Sequence, residues 1–438
     1  MRGNEHGMKR DGGGPTLAAD SRSAADYIGN QPSLFSLMSV STLSTTDQLA
    51  AWRADTPGCA HRNHLNNAGA ALMPQPVSDA ITEHVTLESE IGGYEAADTR
   101  ANEVAGGYDA LAEIVGAKAE NIAVVANATA GFTQALSSFD FAPGDVIVTT
   151  HCDYTSNQIQ YLALSARLGV EIAYADDLPE GGVDPQSVRE IVARRRPRVV
   201  AVTWIPTNSG LVQDVEAIGA VCEAAGVPYL IDACQAVGQI PIDVARLKCD
   251  YLSATARKFM RGPRGIGFMF ASDRALARGD HPLFVDMRGA RWVEAGTYEV
   301  VPTARRYEDW EFPYALVLGQ AAAARYSLDV GIDVAQSRAW ALAQRLRDAL
   351  GGMRGVRVLD RGTTRCAIVT AAFEGRDAEP IVRALKDRRI NTVSSLREFG
   401  IYDFDAKHVK SAVRLSPHYY NTEAEVDAAV AALRDILA

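Results

Sequence analysis

The stretch that decides the fold runs from Ser253 to Gly265 and reads SATARKFMRGPRG. Its lysine, Lys258, lies between a short apolar run and a turn rich in glycine, proline and arginine. Upstream, the apolar run that begins at Tyr229 ends in Asp232. In an open α/β sheet, ligands bind beyond the carboxyl ends of the strands. An aspartate that ends one strand and a lysine that follows one crossover connection later therefore predict a ligand site at that edge of a sheet.

Composition limits the classes of protein to which the chain can belong. With 438 residues, 47% of them apolar, it can bury an ample core and form two or three domains. A net charge of -10 argues against a nucleic-acid partner or an anionic membrane. The six cysteines form no CxxC pair, so neither a disulfide framework nor a metal site is indicated. No apolar run approaches the roughly 20 residues that span a bilayer, and we predict a cytoplasmic protein.

Three segments differ in their patterns. Residues 1–45 are rich in Gly, Ser, Asp and Asn, which predicts a disordered tail. Residues 46–312 alternate amphipathic helices with short runs of β-branched residues, which predicts a large α/β domain with a mostly parallel sheet between helices. The predicted strands lie near 122–125, 146–148, 199–202 and 229–231, and the predicted helices span 155–168, 185–195 and 215–225.

Residues 313–438 predict a smaller C-terminal α+β domain. Its first part is rich in alanine and reads as two helices, 315–330 and 334–350. Strands are predicted at 356–359 and 366–370, followed by a helix at 378–388. The last helix begins with a capping-box pattern at Thr422 to Glu425, which indicates that it starts there.

Two of the strand-to-helix junctions in the large domain carry residues suited to an anionic, aromatic cofactor. Ala128 and Thr129 open a helix, where backbone N–H groups and a hydroxyl can hold a phosphate. Tyr154 follows the next strand and can stack on a ring. Each signal is weak alone, because a threonine at a helix start is usually a simple N-cap and a tyrosine is usually a packing residue.

The remaining junctions add the reactive groups. Thr207 lies in the loop after the strand at 199–202, and Gln235 follows Asp232 closely enough to reach the same ligand. Thr255 and Arg257 can hold a phosphate while Lys258 takes an aldehyde. A lone lysine in a loop is usually a solvated surface residue. Here its setting provides an amine, a carboxylate for a pyridine nitrogen and a phosphate site, which are the groups that pyridoxal 5'-phosphate requires.

These motifs together resemble the class V aminotransferase superfamily over roughly residues 60 to 438. The resemblance implies the fold-type I architecture, a pyridoxal phosphate cofactor and a homodimer with the active site at the subunit interface. It implies that Lys258 is the Schiff-base lysine and that Asp232 pairs with the pyridine nitrogen. The other implied roles are a ring-oxygen contact from Gln235, phosphate contacts from Thr129, Thr255 and Arg257, a ring-stacking Tyr154, and a substrate site formed by Asn67 and Arg414.

Arg414 also fits its role without the resemblance. It lies in a short apolar run just before a turn, Pro417 to Asn421, where its guanidinium can present two donors to an amino-acid carboxylate. An arginine on an exposed strand face is the plainer alternative.

The sequence departs from the family pattern at two places that limit the reaction. Desulfurases of the family use a cysteine ahead of the carboxylate-binding arginine, but the corresponding stretch, Val393 to Phe399, has none. Cys366, the one cysteine beyond Lys258, lies in an apolar run that indicates core packing. The stretch Tyr307 to Glu311 replaces a Gly-Thr pair that contacts the neighbouring subunit's phosphate in many relatives.

The sequence therefore predicts β-elimination from an S-substituted cysteine or its sulfoxide, that is, a C–S lyase. Its motifs are closest to the ergothioneine-type C–S lyases and the isopenicillin N epimerase-like branch of the family. An aminotransferase or an amino-acid epimerase is the alternative. A cysteine desulfurase and a non-catalytic binding protein are disfavoured, because a loop cysteine is missing and binding alone does not require Lys258.

Overall fold

The computed structural model describes residues 45–438. The predicted disordered tail lies outside the described residues except for Thr45, which begins the first helix. The helices of the described part are α1 (Thr45–Ala54), α2 (Gln75–Ile91), α3 (Gly93–Thr99), α4 (Ala101–Val115), α5 (Ala128–Leu136), α6 (Thr155–Leu168), α7 (Pro185–Arg195), α8 (Val215–Ala225), α9 (Val244–Leu247), α10 (Asp273–Ala277), α11 (Tyr314–Val330), α12 (Ile332–Gly351), α13 (Ala378–Asp387), α14 (Ile401–Ala406) and α15 (Glu423–Leu437).

The strands form two larger sheets and two small pairs. They are β1 (Asn63–His64), β2 (Ile122–Val125), β3 (Val146–Thr150), β4 (Glu171–Ala175), β5 (Val199–Thr203), β6 (Tyr229–Asp232), β7 (Tyr251–Thr255), β8 (Gly267–Ala271), β9 (Ala290–Glu294), β10 (Thr297–Val300), β11 (Val356–Val358), β12 (Val369–Phe373), β13 (Ile390–Asn391), β14 (Val393–Leu396) and β15 (Ser411–Leu415).

The central sheet has the strand order β2-β8-β7-β6-β5-β3-β4. Only β8 runs against its neighbours, β2 and β7. Alternate residues of one strand point into different apolar clusters: Leu230 packs with Phe132 and Tyr161, whereas Ile231 packs with residues such as Tyr108 and Ile218. Both faces are therefore buried, which is why the strands read as continuous apolar runs rather than alternating ones. The predicted mostly parallel sheet between helices is confirmed.

Local signals set the helix ends of this domain where the sequence places them. Asp214 caps α8 by accepting a hydrogen bond from the backbone N–H of Ala217, and α8 ends at Gly226 in the left-handed conformation. Asp184 caps α7 just before a proline at the first helical position. The predicted bounds of α6, α7 and α8 are those of the structure.

The smaller sheet is antiparallel, in the order β11-β12-β15-β14. It carries Arg414 on β15, opposite Thr370 of β12 and Val393 of β14. The predicted capping box of α15 is present, with both hydrogen bonds made between Thr422 and Glu425. The strand predicted at 366–370 instead begins at Val369, because the backbone of Cys366 bonds to the loop after β5 rather than to a neighbouring strand.

The segment before α2 pairs with residues of the C-terminal part of the chain. Strand β1 pairs in parallel with β13, and Asn66 forms a further bridge to Ser416. The domain boundaries predicted at 45/46 and 312/313 stay predictions. Within residues 45–438, no helix is long and apolar enough to cross a membrane. The cytoplasmic location also stays a prediction.

Candidate active site

The predicted site residues of the large domain follow the carboxyl ends of parallel strands. Thr203, Asp232 and Ser253 are neighbours across β5, β6 and β7 in the sheet register. The loop that carries Lys258 leaves the end of β7, and the loop that opens α5 leaves the end of β2. The sheet therefore brings residues that are far apart in sequence to one edge.

Lys258 lies inside a small cavity at this edge. Only 7% of its surface is exposed, and its Nζ lies 5.9 Å from the centre of the Tyr154 ring. Burial lowers the pKa of the Lys258 amine, the positive charges of Arg257 and Arg414 lower it further, and Cys234 and Asp232 oppose the shift. The amine is thereby easier to deprotonate than an ordinary lysine, as a nucleophile or base requires.

The carboxylate of Asp232 is held in one orientation by two donors. Its Oδ1 accepts a hydrogen bond from the backbone N–H of Cys234 at 2.9 Å, and its Oδ2 accepts one from Asn157 Nδ2 at 3.3 Å. The side chain is 4% exposed. Buried and held this way, Asp232 presents its remaining acceptor capacity to the cavity that it shares with Lys258.

The cavity has a volume of about 280 Å³ and one strongly basic end. It is lined by Asn127, Ala128, Thr129, Tyr154, Asp232, Cys234, Thr255, Arg257, Lys258, Arg264 and Gly265. Arg257 and Arg264 lie close enough for their charges to interact, since burial and then the charge of Arg264 lower the pKa of Arg257. The start of α5 adds backbone N–H groups to the same wall, so this end suits an anion. A groove of about 740 Å³ lies at the amino ends of the strands instead, and no predicted site residue lines it.

A second group of predicted residues surrounds Arg414. Its Nη1 donates to the carbonyl oxygen and hydroxyl of Thr207, at 2.8 and 2.6 Å. Gln235 Nε2 donates to the same Thr207 hydroxyl at 3.2 Å and to the Ala68 carbonyl at 3.1 Å. Arg414 Nε and Gln235 Oε1 are buried without a partner among the described residues. A buried donor and a buried acceptor that both lack a partner indicate a binding site for a polar ligand.

Burial lowers the pKa of Arg414 to about 10, which leaves its guanidinium charged at neutral pH. The positive charge of Arg414 also lowers the pKa of the Lys258 amine, so the arginine lies close enough to the cavity to act on its titratable group. A buried, charged, incompletely paired guanidinium can bind a carboxylate through two parallel hydrogen bonds.

Asn66, and not the predicted Asn67, contacts Arg414. Asn67 is completely buried, with its Nδ2 donating to the Ser416 carbonyl at 2.7 Å and its Oδ1 accepting from the Tyr420 hydroxyl. Its amide is thus occupied in holding the turn. Asn66, which sequence reasoning missed, accepts a hydrogen bond from Arg414 Nη2 at 3.3 Å. A side chain at Gly69 would lie 2.5 Å from the Asn66 oxygen, so glycine there gives Asn66 its place.

The sequence also gave no role to Asp153, Asn157 and Cys234. Asp153 lies two residues before α6 and Asn157 lies in its first turn, and this spacing of four residues across the helix start is the signal that could have found them. Cys234 lines the cavity beside Asp232, where burial raises the pKa of its thiol to about 12. Cys366 is completely buried and burial also raises its pKa to about 12, so both groups are neutral thiols at neutral pH.

The fold and this site define a pyridoxal phosphate-dependent enzyme, and the chain belongs to the family "Aminotransferase class-V", whose sequence model matches residues 63–429. A probable cysteine desulfurase of Pyrococcus abyssi is 23% identical over 88% of this chain and 96% of that protein. A probable hercynylcysteine sulfoxide lyase of Mycobacterium tuberculosis is 27% identical over 88% of this chain and 93% of that protein.

Solved structures agree in fold. The apo cysteine desulfurase of Thermococcus onnurineus has a TM-score of 0.82 and 21% identity, covering 89% of this chain and 98% of that one. The cystine C-S lyase C-DES, in complex with cysteine persulfide, has a TM-score of 0.78 and 23% identity, covering 87% and 99%. At this identity the likeness shows the fold alone. The predicted fold-type I architecture is confirmed.

The residues present fit the cofactor. The basic end with Thr129, Thr255 and Arg257 would hold the phosphate, Tyr154 would contact the ring, and Asp232 would pair with the ring nitrogen. Lys258 is the amine that reaches the same space and has no hydrogen-bond partner among the described residues. Because anion site, buried amine and buried carboxylate occur in one cavity, the donor set matches the three functional groups of pyridoxal phosphate.

Proposed function

We propose that the protein is a C–S lyase that eliminates the sulfur substituent from an S-substituted cysteine or from its sulfoxide. The observation that carries this proposal is the position of the thiols. No cysteine occurs between Val393 and Ala406, the segment that begins beside Arg414 in the small sheet. This segment therefore offers no thiol to attack substrate sulfur, and Cys234, which lines the cavity, is a neutral thiol because burial raises its pKa to about 12.

The cofactor, when bound, withdraws electrons from Cα of the amino acid and so acidifies its proton. The chain's own residues provide the rest. Arg414, held by Thr207 and Asn66, binds the α-carboxylate and fixes the direction of the Cα–H bond. Lys258 takes the Cα proton, and its lowered pKa favours the neutral amine that this step needs.

The Cβ–S bond then breaks, and its electron pair leaves with sulfur. A sulfoxide or thioether leaves as the corresponding sulfenate or thiolate, and hydrolysis of the remaining three-carbon fragment gives pyruvate and ammonia. Since Lys258 holds the abstracted proton beside the substrate, it is also the group placed to protonate the departing sulfur.

Two other outcomes of the same proton removal compete with elimination. Return of the proton to the cofactor side would give transamination, and return to the opposite face of Cα would give epimerisation. A third rival is desulfuration, because several relatives are named cysteine desulfurases. The buried Cys366 and the neutral thiol of Cys234 argue against it.

A substrate comparison tests the proposal. Purified holoenzyme is given L-cysteine, an S-alkylcysteine and its sulfoxide, and pyruvate, sulfide and pyridoxamine phosphate are measured. We expect pyruvate from the S-substituted substrates, a loss of about 100-fold or more in Lys258→Ala because its base is removed, and unchanged rates in Cys366→Ala. Pyridoxamine phosphate without pyruvate would refute the lyase. Sulfide from cysteine that disappears in Cys366→Ala would indicate a desulfurase.

We also infer a homodimer. Several large apolar side chains of one surface region are exposed, with Phe284 at 85% and Trp292 at 81%. The region also includes Leu283, Met287, Tyr298 and Trp310. Trp292 pairs with Tyr298 across β9 and β10, Tyr298 and Leu283 line one groove, and the backbone N–H of Trp310 donates to Asp286, the neighbour of Met287. Exposed apolar side chains grouped in this way mark an interaction site. Glu308, in the stretch that replaces the Gly-Thr pair of many relatives, is buried and accepts hydrogen bonds from Tyr108 and Arg288 of the same chain. Its side chain therefore makes contacts within the subunit.

A further inference from the structure

Asp153 lies behind the cofactor cavity and is an unusually well-satisfied buried carboxylate. It is 6% exposed. Its Oδ2 accepts hydrogen bonds from Thr149 and Tyr161 at 2.7 and 2.8 Å, and its Oδ1 accepts from the backbone N–H of Tyr154 at 2.7 Å. The hydroxyl of Thr203 also donates to Oδ1. These donors come from β3, β5, the middle of α6 and the residue before α6, so Asp153 is fixed relative to the sheet.

Asn157 connects this carboxylate to Asp232. Its Nδ2 lies 3.1 Å from Asp153 Oδ1 and 3.3 Å from Asp232 Oδ2. Both neighbours are carboxylate oxygens, which only accept when ionised, so the amide must turn its two N–H groups to them. Asn157 is 1% exposed, so its amide contacts both carboxylates away from bulk solvent.

We propose that Asp153 and Asn157 form a positioning unit for Asp232, in which Asp153 orients the Asn157 amide and the amide holds the Asp232 carboxylate aimed at the pyridine nitrogen. Two buried carboxylates close together repel one another, and an amide that donates to both relieves that repulsion. The donors from Asn157 and Cys234 each hold one oxygen of Asp232, so the carboxylate keeps one orientation toward the ring nitrogen.

The same carboxylate also positions the ring contact. Because Asp153 holds the backbone N–H of Tyr154, it fixes the residue whose ring lines the cavity near Lys258. One buried acid thus determines both the partner of the ring nitrogen and the residue at the ring face. This inference rests on the predicted pairing of Asp232 with the ring nitrogen and does not depend on which sulfur substrate is used.

The test uses holoenzyme reconstituted with pyridoxal phosphate carrying nitrogen-15 in its ring. The nitrogen-15 chemical shift reports whether the ring nitrogen is protonated, and equilibrium dialysis gives the cofactor dissociation constant. In Asn157→Leu, which removes the amide at similar size, we expect a shift toward the unprotonated nitrogen. We also expect cofactor binding to weaken by about tenfold or more, as for the loss of a hydrogen bond to a charged group.

Tyr161→Phe is the matched control, because it removes one hydrogen bond to Asp153 and leaves the Asn157 bridge intact. Its ring-nitrogen shift should equal that of the wild type. If Asn157→Leu does not fold, Asn157→Ser is measured by the same criterion, since serine is too short to bridge both carboxylates. An unchanged shift in the folded Asn157 variant, or an equal change in Tyr161→Phe, overturns the proposal.

The variant Asp232→Asn tests separately whether Asp232 pairs with the ring nitrogen, the assignment on which the positioning unit depends. If Asp232→Asn changes the ring-nitrogen shift and the Asn157 variant does not, Asp232 keeps its role and only the positioning unit is refuted. If Asp232→Asn also leaves the shift unchanged, the pairing of Asp232 with the ring nitrogen is wrong and the positioning unit falls with it.

Discussion

His418, near the site, is a buried titratable residue whose pKa is shifted by burial, and this shift makes the stability of the protein depend on pH. It is completely buried, and its Nε2 lies 2.8 Å from the carbonyl oxygen of Phe259, next to Lys258. A carbonyl only accepts, so Nε2 carries the hydrogen of a neutral ring. Burial, and then the charge of Arg261, lowers the pKa of His418 to about 3.

This histidine predicts a pH dependence of stability. An unfolded histidine titrates near pH 6.5, so between about pH 3 and pH 6.5 the unfolded chain binds the extra proton and the folded protein does not. Stability from this group is therefore complete above pH 6.5 and falls as the pH falls. We expect the wild type to lose about 1.5 kcal/mol more unfolding free energy between pH 6.5 and pH 5 than His418→Gln does.

Urea unfolding of both apoproteins across this pH range measures the difference. Because other histidines titrate in both proteins, only the change in slope between them reports on His418. Parallel pH profiles for the two proteins would show that His418 is not the neutral, buried group that the structure places beside Phe259.

At the scale of elements, helix α14 is attached to the loop that supports Arg414. Asp403 and Lys407 form a buried ion pair at 2.7 Å, each 7% exposed. Asp403 also accepts a hydrogen bond at 2.9 Å from Asn208, the neighbour of Thr207. A side chain at Gly400 would lie 2.3 Å from Asn208 Nδ2, so glycine allows this close approach.

The ion pair of α14 gives a prediction about stability. Asp403→Leu leaves the Lys407 charge buried without its partner, and we expect a loss of about 3 kcal/mol in unfolding free energy. The double variant Asp403→Leu/Lys407→Met should recover much of this loss, since an apolar pair avoids the burial of an unpaired charge. Denaturant titration of the three proteins measures it. A double variant as unstable as the single one would show that the charge of Lys407 is not the cause.

At the scale of the whole molecule, Arg261 joins three parts of the chain. It is 1% exposed and donates to Thr56, to the Leu72 carbonyl and to the Tyr419 hydroxyl. Its guanidinium also lies 4.3 Å from the centre of the Tyr420 ring. The Lys258 loop, the N-terminal segment and the turn after Arg414 are therefore held together by one side chain.

The exposed apolar region predicts the assembly state. We expect the wild type to sediment as a dimer, and we expect Trp292→Glu, which places a charge on this surface, to sediment as a monomer with a reduced melting temperature. Val334→Glu is the matched control, because Val334 is an exposed apolar residue, 45% exposed, on helix α12 of the small domain. A wild-type monomer at micromolar concentration, or dissociation in both variants, would contradict this assignment of the interface.

By itself the sequence determined the strands β2, β3, β5 and β6, the bounds of α6 to α8, the cap of α15 and the loops that bring Lys258, Asp232, Thr129 and Tyr154 together. Those features depend on local periodicity, capping residues and the rule that strand ends share an edge. Only the tertiary structure decided that Asn66 rather than Asn67 contacts Arg414, and that Asp153 and Asn157 stand behind Asp232. The physical reason is that neighbouring residues of like chemistry have the same local pattern, whereas the contacts that distinguish them come from residues 75 to 348 positions away in the chain.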